Sequence, residues 1–126
     1  MFKMVEERRV WWPVTWDAPL DGGKTAPAKI EMQFILINPD DAQDLVNEAM
    51  DLDQNEGDTR PPSERKAHLL SRLIVDWRLV GDEEGNAVDY SADALARFFR
   101  LPGTFMATIN AFGRCVQGVT ETRKKN

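Results

Sequence analysis

Val10-Trp11-Trp12-Pro13-Val14-Thr15-Trp16 and Ile30-Glu31-Met32-Gln33-Phe34-Ile35-Leu36 decide the fold. In the first run, Val10, Trp12, Val14 and Trp16 fall on alternate positions. In the second, Ile30, Met32, Phe34 and Leu36 do the same, with Glu31 and Gln33 on the other side. A period of two is the mark of a strand with one face buried. Pro13 has no N–H to give to a ladder, so its strand is an edge strand or is bulged there. Asp17 to Thr25 is dense in Gly, Pro and Asp, which read as a turn. Residues 10–37 are therefore expected to form a β-hairpin with a long, mobile connection.

The period changes after Asn38-Pro39. Ala42, Leu45, Val46, Ala49 and Leu52 recur at helical spacing, with Asn38 as the N-cap and Pro39 in the first helical position. Residues 53–62 are polar and end in Pro61-Pro62, which reads as a loop. A second helix is expected from Ser63, with Ala67, Leu70, Leu73, Ile74 and Trp77 on its apolar face. Val75 to Val80 lead into Gly81–Asn86, and the end of this segment is expected as helix or as frayed, extended structure that makes a small loop or hairpin with Ala87-Val88. Ser91 caps a third helix carrying Leu95, Phe98 and Phe99. Leu101-Pro102-Gly103 breaks it. A fourth helix carries Phe105, Ile109, Phe112 and Val116 and stops at Gly118. The expected class is α+β, a β-hairpin packed with about four helices. One domain spans 1–118, with its helical part at 39–118 and a flexible basic tail at 119–126.

A chain of 126 residues has room for one domain, and 42% hydrophobic residues suffice for a core. Net charge is −5. Nucleic acid is not the expected partner, since phosphate binding needs a basic surface. The longest apolar run, Phe34 to Ile37, is too short to span a bilayer. A single cysteine, Cys115, excludes an internal disulfide and fits a reducing compartment. A cytoplasmic location is expected. Eight acids and no Lys or Arg lie between Asn38 and Asp58. They read as a solvated helix face or as an electrostatic docking face, with Asp40, Asp41, Asp44 and Glu48 as its residues.

The search for reaction chemistry finds little. His68 and Cys115 fall on different expected helices, and a nucleophile pair needs direct contact and a third group. One His and one Cys cannot make a zinc set. Asp51-Leu-Asp53-Gln-Asn55 resembles the start of a calcium loop. It has Glu56 where the turn needs Gly and Pro62 where the bidentate Glu belongs. No metal and no cofactor are expected, and the chain is read as a binder rather than an enzyme. Four tryptophans supply anchors for binding. Trp11 and Trp12 are consecutive, so a strand puts them on opposite faces. One of them faces a partner or solvent, unless helices cover both faces or a bulge at Pro13 turns both inward.

The segment Leu70 to Phe112 strings together further signals. They are Val75-Asp76-Trp77-Arg78, the acidic turn Asp82-Glu83-Glu84-Gly85-Asn86, Asp89-Tyr90-Ser91, Leu95-Ala96-Arg97-Phe98-Phe99, Leu101-Pro102-Gly103 and Ile109-Asn110-Ala111-Phe112. In this layout the chain resembles the tail assembly chaperones of long-tailed bacteriophages. The resemblance implies a protein that binds the tape measure protein, and through tail assembly the tail tube protein, in the bacterial host cytoplasm. It implies self-association into a homo-oligomer and a longer frameshifted form. Lys124-Lys125-Asn126 is compatible with an A-rich slippery codon run. A holdase needs an exposed apolar groove with a charged rim. Phe98, Phe99, Phe105, Met106, Ile109 and Phe112 are its candidate residues, with Trp11 and Trp12 as further candidate contacts. The alternative function is a small phage-encoded regulatory or inhibitory protein docking on a host protein through the acidic face.

Overall fold

The computed structural model describes residues 1–4, 7–51, 57 and 59–118. Residues 52–56 and 58, half of the calcium-like loop, and the tail 119–126 lie outside the described residues.

The fold is α+β. Strands β1 (Arg8–Leu20) and β2 (Lys24–Leu36) pair antiparallel along their whole length, from Arg8 opposite Leu36 to Leu20 opposite Lys24. The turn-rich stretch is thus mostly strand, not the long connection expected. Only Asp21–Gly23 turns, with Gly22 and Gly23 at φ 76° and 74°. Those angles suit glycine and strain other residues. Strand β3 (Ile74–Arg78) pairs with β2, so the order is β1-β2-β3 and β1 is an edge.

The hydrogen-bond phase explains the prolines. The Ile35 N–H turns away from β1 and donates to Leu73 O at 2.8 Å. Antiparallel pairs alternate between bonded and non-bonded. The odd-numbered residues of β1 therefore turn their backbone groups outward. Pro13 and Pro19 are both odd, so no ladder bond is lost and no bulge forms in the β1–β2 register.

Four helices follow: α1 (Pro39–Met50), α2 (Pro62–Leu70), α3 (Ala92–Phe99) and α4 (Thr104–Gln117). The Asn38 side chain accepts from Asp40 N at 2.8 Å and Ser91 Oγ accepts from Ala94 N at 3.0 Å. Each satisfies an orphan donor of the first turn. Helix α2 begins one residue before Ser63, with Pro61 at its cap. Gly118 closes α4 at φ 69°.

Two further expectations are corrected. The second helix stops at Leu70, and Ile74 and Trp77 lie in β3. Both are still buried. Phe34 pairs with Ile74 and Gln33 with Asp76, so Val75 is an extra, bulged residue. The bulge puts two residues three apart on one face of a strand, a spacing that otherwise marks a helix. The fourth helix is rolled from its expected face. Its buried row is Thr104, Ala107, Thr108, Ala111, Phe112 and Cys115, while Phe105 and Ile109 are half-buried and Val116 is exposed. Burying the threonines is cheap because their hydroxyls are bonded. Thr104 Oγ1 donates to Phe98 O at 2.6 Å, and Thr108 Oγ1 to Thr104 O at 2.9 Å.

The core lies between the inner sheet face and the helices. Val14, Met32, Phe34 and Leu95 are fully enclosed. Edge-on ring contacts tie the layers together: Phe34 with Phe112 at 5.3 Å, Trp16 with Phe98 at 5.4 Å and Trp77 with Phe98 at 5.8 Å.

Candidate functional site

The roll of α4 leaves an apolar groove between α1 and α4. Ala42 and Val46 of α1 form one wall, with Pro39 at its start. Ile109, Phe112 and Val116 of α4 form the other, and Leu36 and Ile37 close one end. Gln43 and Gln117 contribute polar atoms. The groove holds about 480 Å³. Gly113 lies along it, and a β-carbon added there would meet no atom within 4 Å.

Of the candidate residues, Ile109 and Phe112 meet in this groove. Phe98 and Phe99 are buried in the core. Phe105 stands edge-on to Phe99 at 5.3 Å, with Lys66 Nζ 4.3 Å from its ring centre. Met106 is exposed but is not among the groove residues. Trp12 packs against the core. Trp11 lies on the outer sheet face, opposite the one that carries Val14, Met32 and Phe34 into the core. The Arg78 guanidinium covers its ring at 4.2 Å, and Arg78 Nε donates to Glu31 Oε1 at 2.7 Å. The Arg78 guanidinium, held by its ion pair with Glu31, covers one side of this half-buried tryptophan.

Asp40, Asp41, Asp44 and Glu48 are all exposed. Asp40, Asp44 and Glu48 repeat every four residues along one side of α1. Ala42 and Ala49 are buried on the other side. The acidic stripe and the groove lie on different sides of α1 and come together only at its first turn, where Asp40 follows the groove residue Pro39.

Of the groove residues, sequence reasoning proposed only Ile109 and Phe112; the α1 wall, the Leu36–Ile37 end, Gly113 and Val116 were missed. Gly113 was the available signal, since a glycine inside a helix costs about 1 kcal/mol against alanine and asks for a reason.

The titratable groups give little reactive chemistry. Burial pushes the Cys115 thiol up to about 11, so it is protonated and unreactive at neutral pH. Burial, with the Asp76 charge, raises the Tyr90 phenol to about 12. Its hydroxyl donates to Ile74 O at 2.8 Å. His68 is exposed on α2, and Cys115 is buried on α4. Among the described residues, no group of three or more His, Cys, Asp or Glu could hold a metal ion. Among them, too, no helix is long and apolar enough to cross a membrane.

No protein-family model, no curated protein and no solved structure matches the chain.

Proposed function

We propose that this protein is a non-enzymatic chaperone that holds an apolar helical segment of a client protein between α1 and α4. The layout from Leu70 to Phe112, which resembles phage tail assembly chaperones, supports the tape measure protein as the client. The tail tube protein is then a further partner and the host cytoplasm the place of action. The groove is the observation that carries the reading. Two helices flank an open apolar channel into which a third, amphipathic helix fits with its anchors at every third or fourth residue. The polar exterior of α1 keeps the loaded complex soluble.

Gly113→Leu tests this reading. A β-carbon there meets no atom within 4 Å, and because Gly113 lines the groove a larger side chain takes up groove space. Replacing a mid-helix glycine favours α4 by up to about 1 kcal/mol. Co-expressed tape measure protein is expected to co-purify with the wild-type chain and to be lost from Gly113→Leu, which melts no lower. Retention of the client by this variant would overturn the reading.

A second reading has its own support. The solvent-facing stripe Asp40, Asp44 and Glu48 suits electrostatic docking of a regulatory protein on a basic host surface.

A further inference from the structure

We infer that the segment ahead of β1 docks into the α1–α4 groove of its own molecule and competes there with the client. This rests on the reading of the groove as the client site. Met1, Phe2 and Met4 have relative exposures of 117%, 76% and 91%, so three large apolar side chains of one short segment lie in solvent. Exposed apolar side chains grouped in this way mark an interaction.

The topology tethers the segment at the mouth of the groove. Arg8, the first residue of β1, pairs with Leu36, which lines the groove. The strands are antiparallel. The segment before Arg8 therefore leaves the sheet at the end where β2 passes into Ile37 and Pro39, both groove residues. Phe2 is six residues from Arg8, a reach of about 20 Å. Ile109 to Val116 spans only about 10 Å of helix. The segment is long enough to lay Phe2 and Met4 along the channel. Charge adds to this. Lys3 sits between the two apolar residues, and Asp40 and Asp41 are exposed on the first turn of α1 beside Pro39. A tether this short gives an effective concentration in the millimolar range, so a weak contact suffices.

The test uses the full chain labelled at Ile and Met methyl groups. Nuclear Overhauser contacts between the Met4 methyl and Ile109 are expected, unchanged on dilution. Phe2→Asp with Met4→Asp removes them, shifts the Ile37 and Ile109 methyl signals, and strengthens binding of a tape measure segment several-fold. Both positions are exposed, so the variant keeps the fold. Absence of the contacts overturns the proposal. Contacts that vanish on dilution also overturn it, since the occupant is then a second copy. The methyl contacts need no client. Contacts without client retention leave the docking standing and sink the client reading. Client retention without contacts does the reverse.

Discussion

Leu79 is the one non-glycine residue with a positive φ, 69°, among the described residues, and its side chain is 67% exposed. It sits where the chain leaves β3 and turns toward the Gly81–Ala87 bridge. That turn brings Val88 back, so that its N–H donates to Val80 O at 2.9 Å and its carbonyl accepts from Trp77 Nε1 at 2.7 Å. A left-handed conformation costs an ordinary residue about 1–2 kcal/mol. Little packing repays it here. Glycine removes that cost but adds about 0.5–1 kcal/mol of unfolded-state freedom. Leu79→Gly is therefore expected to stabilise the fold, by up to about 1 kcal/mol. A urea titration checks this: the midpoint should rise with the slope unchanged. A lower midpoint would show that Leu79 packs better than its exposure suggests. Nothing in the local sequence marked this position, because leucine is not a residue expected at positive φ. The tryptophan pair was more legible. Strand alternation placed Trp11 and Trp12 on opposite faces, but it could not show Arg78 lying over Trp11, since β3 was read as the fraying end of a helix with no place in the sheet.

The same contrast holds for the elements. The hairpin, the caps at Asn38 and Ser91 and the stop at Gly118 were legible because each rests on neighbouring residues alone. Strand β3 was not, because its bulge against Gln33 and Phe34 gives Ile74 and Trp77 a helical spacing. The roll of α4 was not, because threonines whose hydroxyls bond to nearby carbonyls pass for surface residues in a sequence. The groove follows from that roll, so it was only half visible, through Ile109 and Phe112. Strand β1 leads to a prediction of its own. It is a 13-residue edge strand, which is a template for pairing with another chain. Pro13 and Pro19 stand at outward-turned positions and withhold their donors from any such pairing. Pro13→Val restores one donor and raises strand propensity at the middle of the edge. The variant is expected to associate with rising concentration beyond the wild type, as seen by light scattering. An unchanged mass would mean that the edge is guarded by something other than the proline.

At the scale of the molecule, one face of the sheet is packed by helices and α1 divides two surfaces of different chemistry. The groove is apolar, and the stripe on the far side of α1 is acidic within a chain of net charge −5. The two surfaces give a partner different thermodynamics. An apolar helix leaving water for the groove gives a negative heat-capacity change and little dependence on salt. Docking on Asp40, Asp44 and Glu48 gives fast association that slows as salt shortens the screening length from about 10 Å at 0.1 M to about 3 Å at 1 M. Titration calorimetry with a tape measure segment, run at several temperatures and at both ionic strengths, separates them. The groove reading expects binding that becomes more exothermic on warming and an affinity that high salt leaves nearly unchanged. Asp40→Asn with Asp44→Asn and Glu48→Gln should then bind as the wild type does, while Gly113→Leu binds weakly or not at all. If salt abolishes binding and the neutralised stripe reproduces that loss, the acidic face is the docking surface, and the groove serves the chain's own Phe2 and Met4 instead.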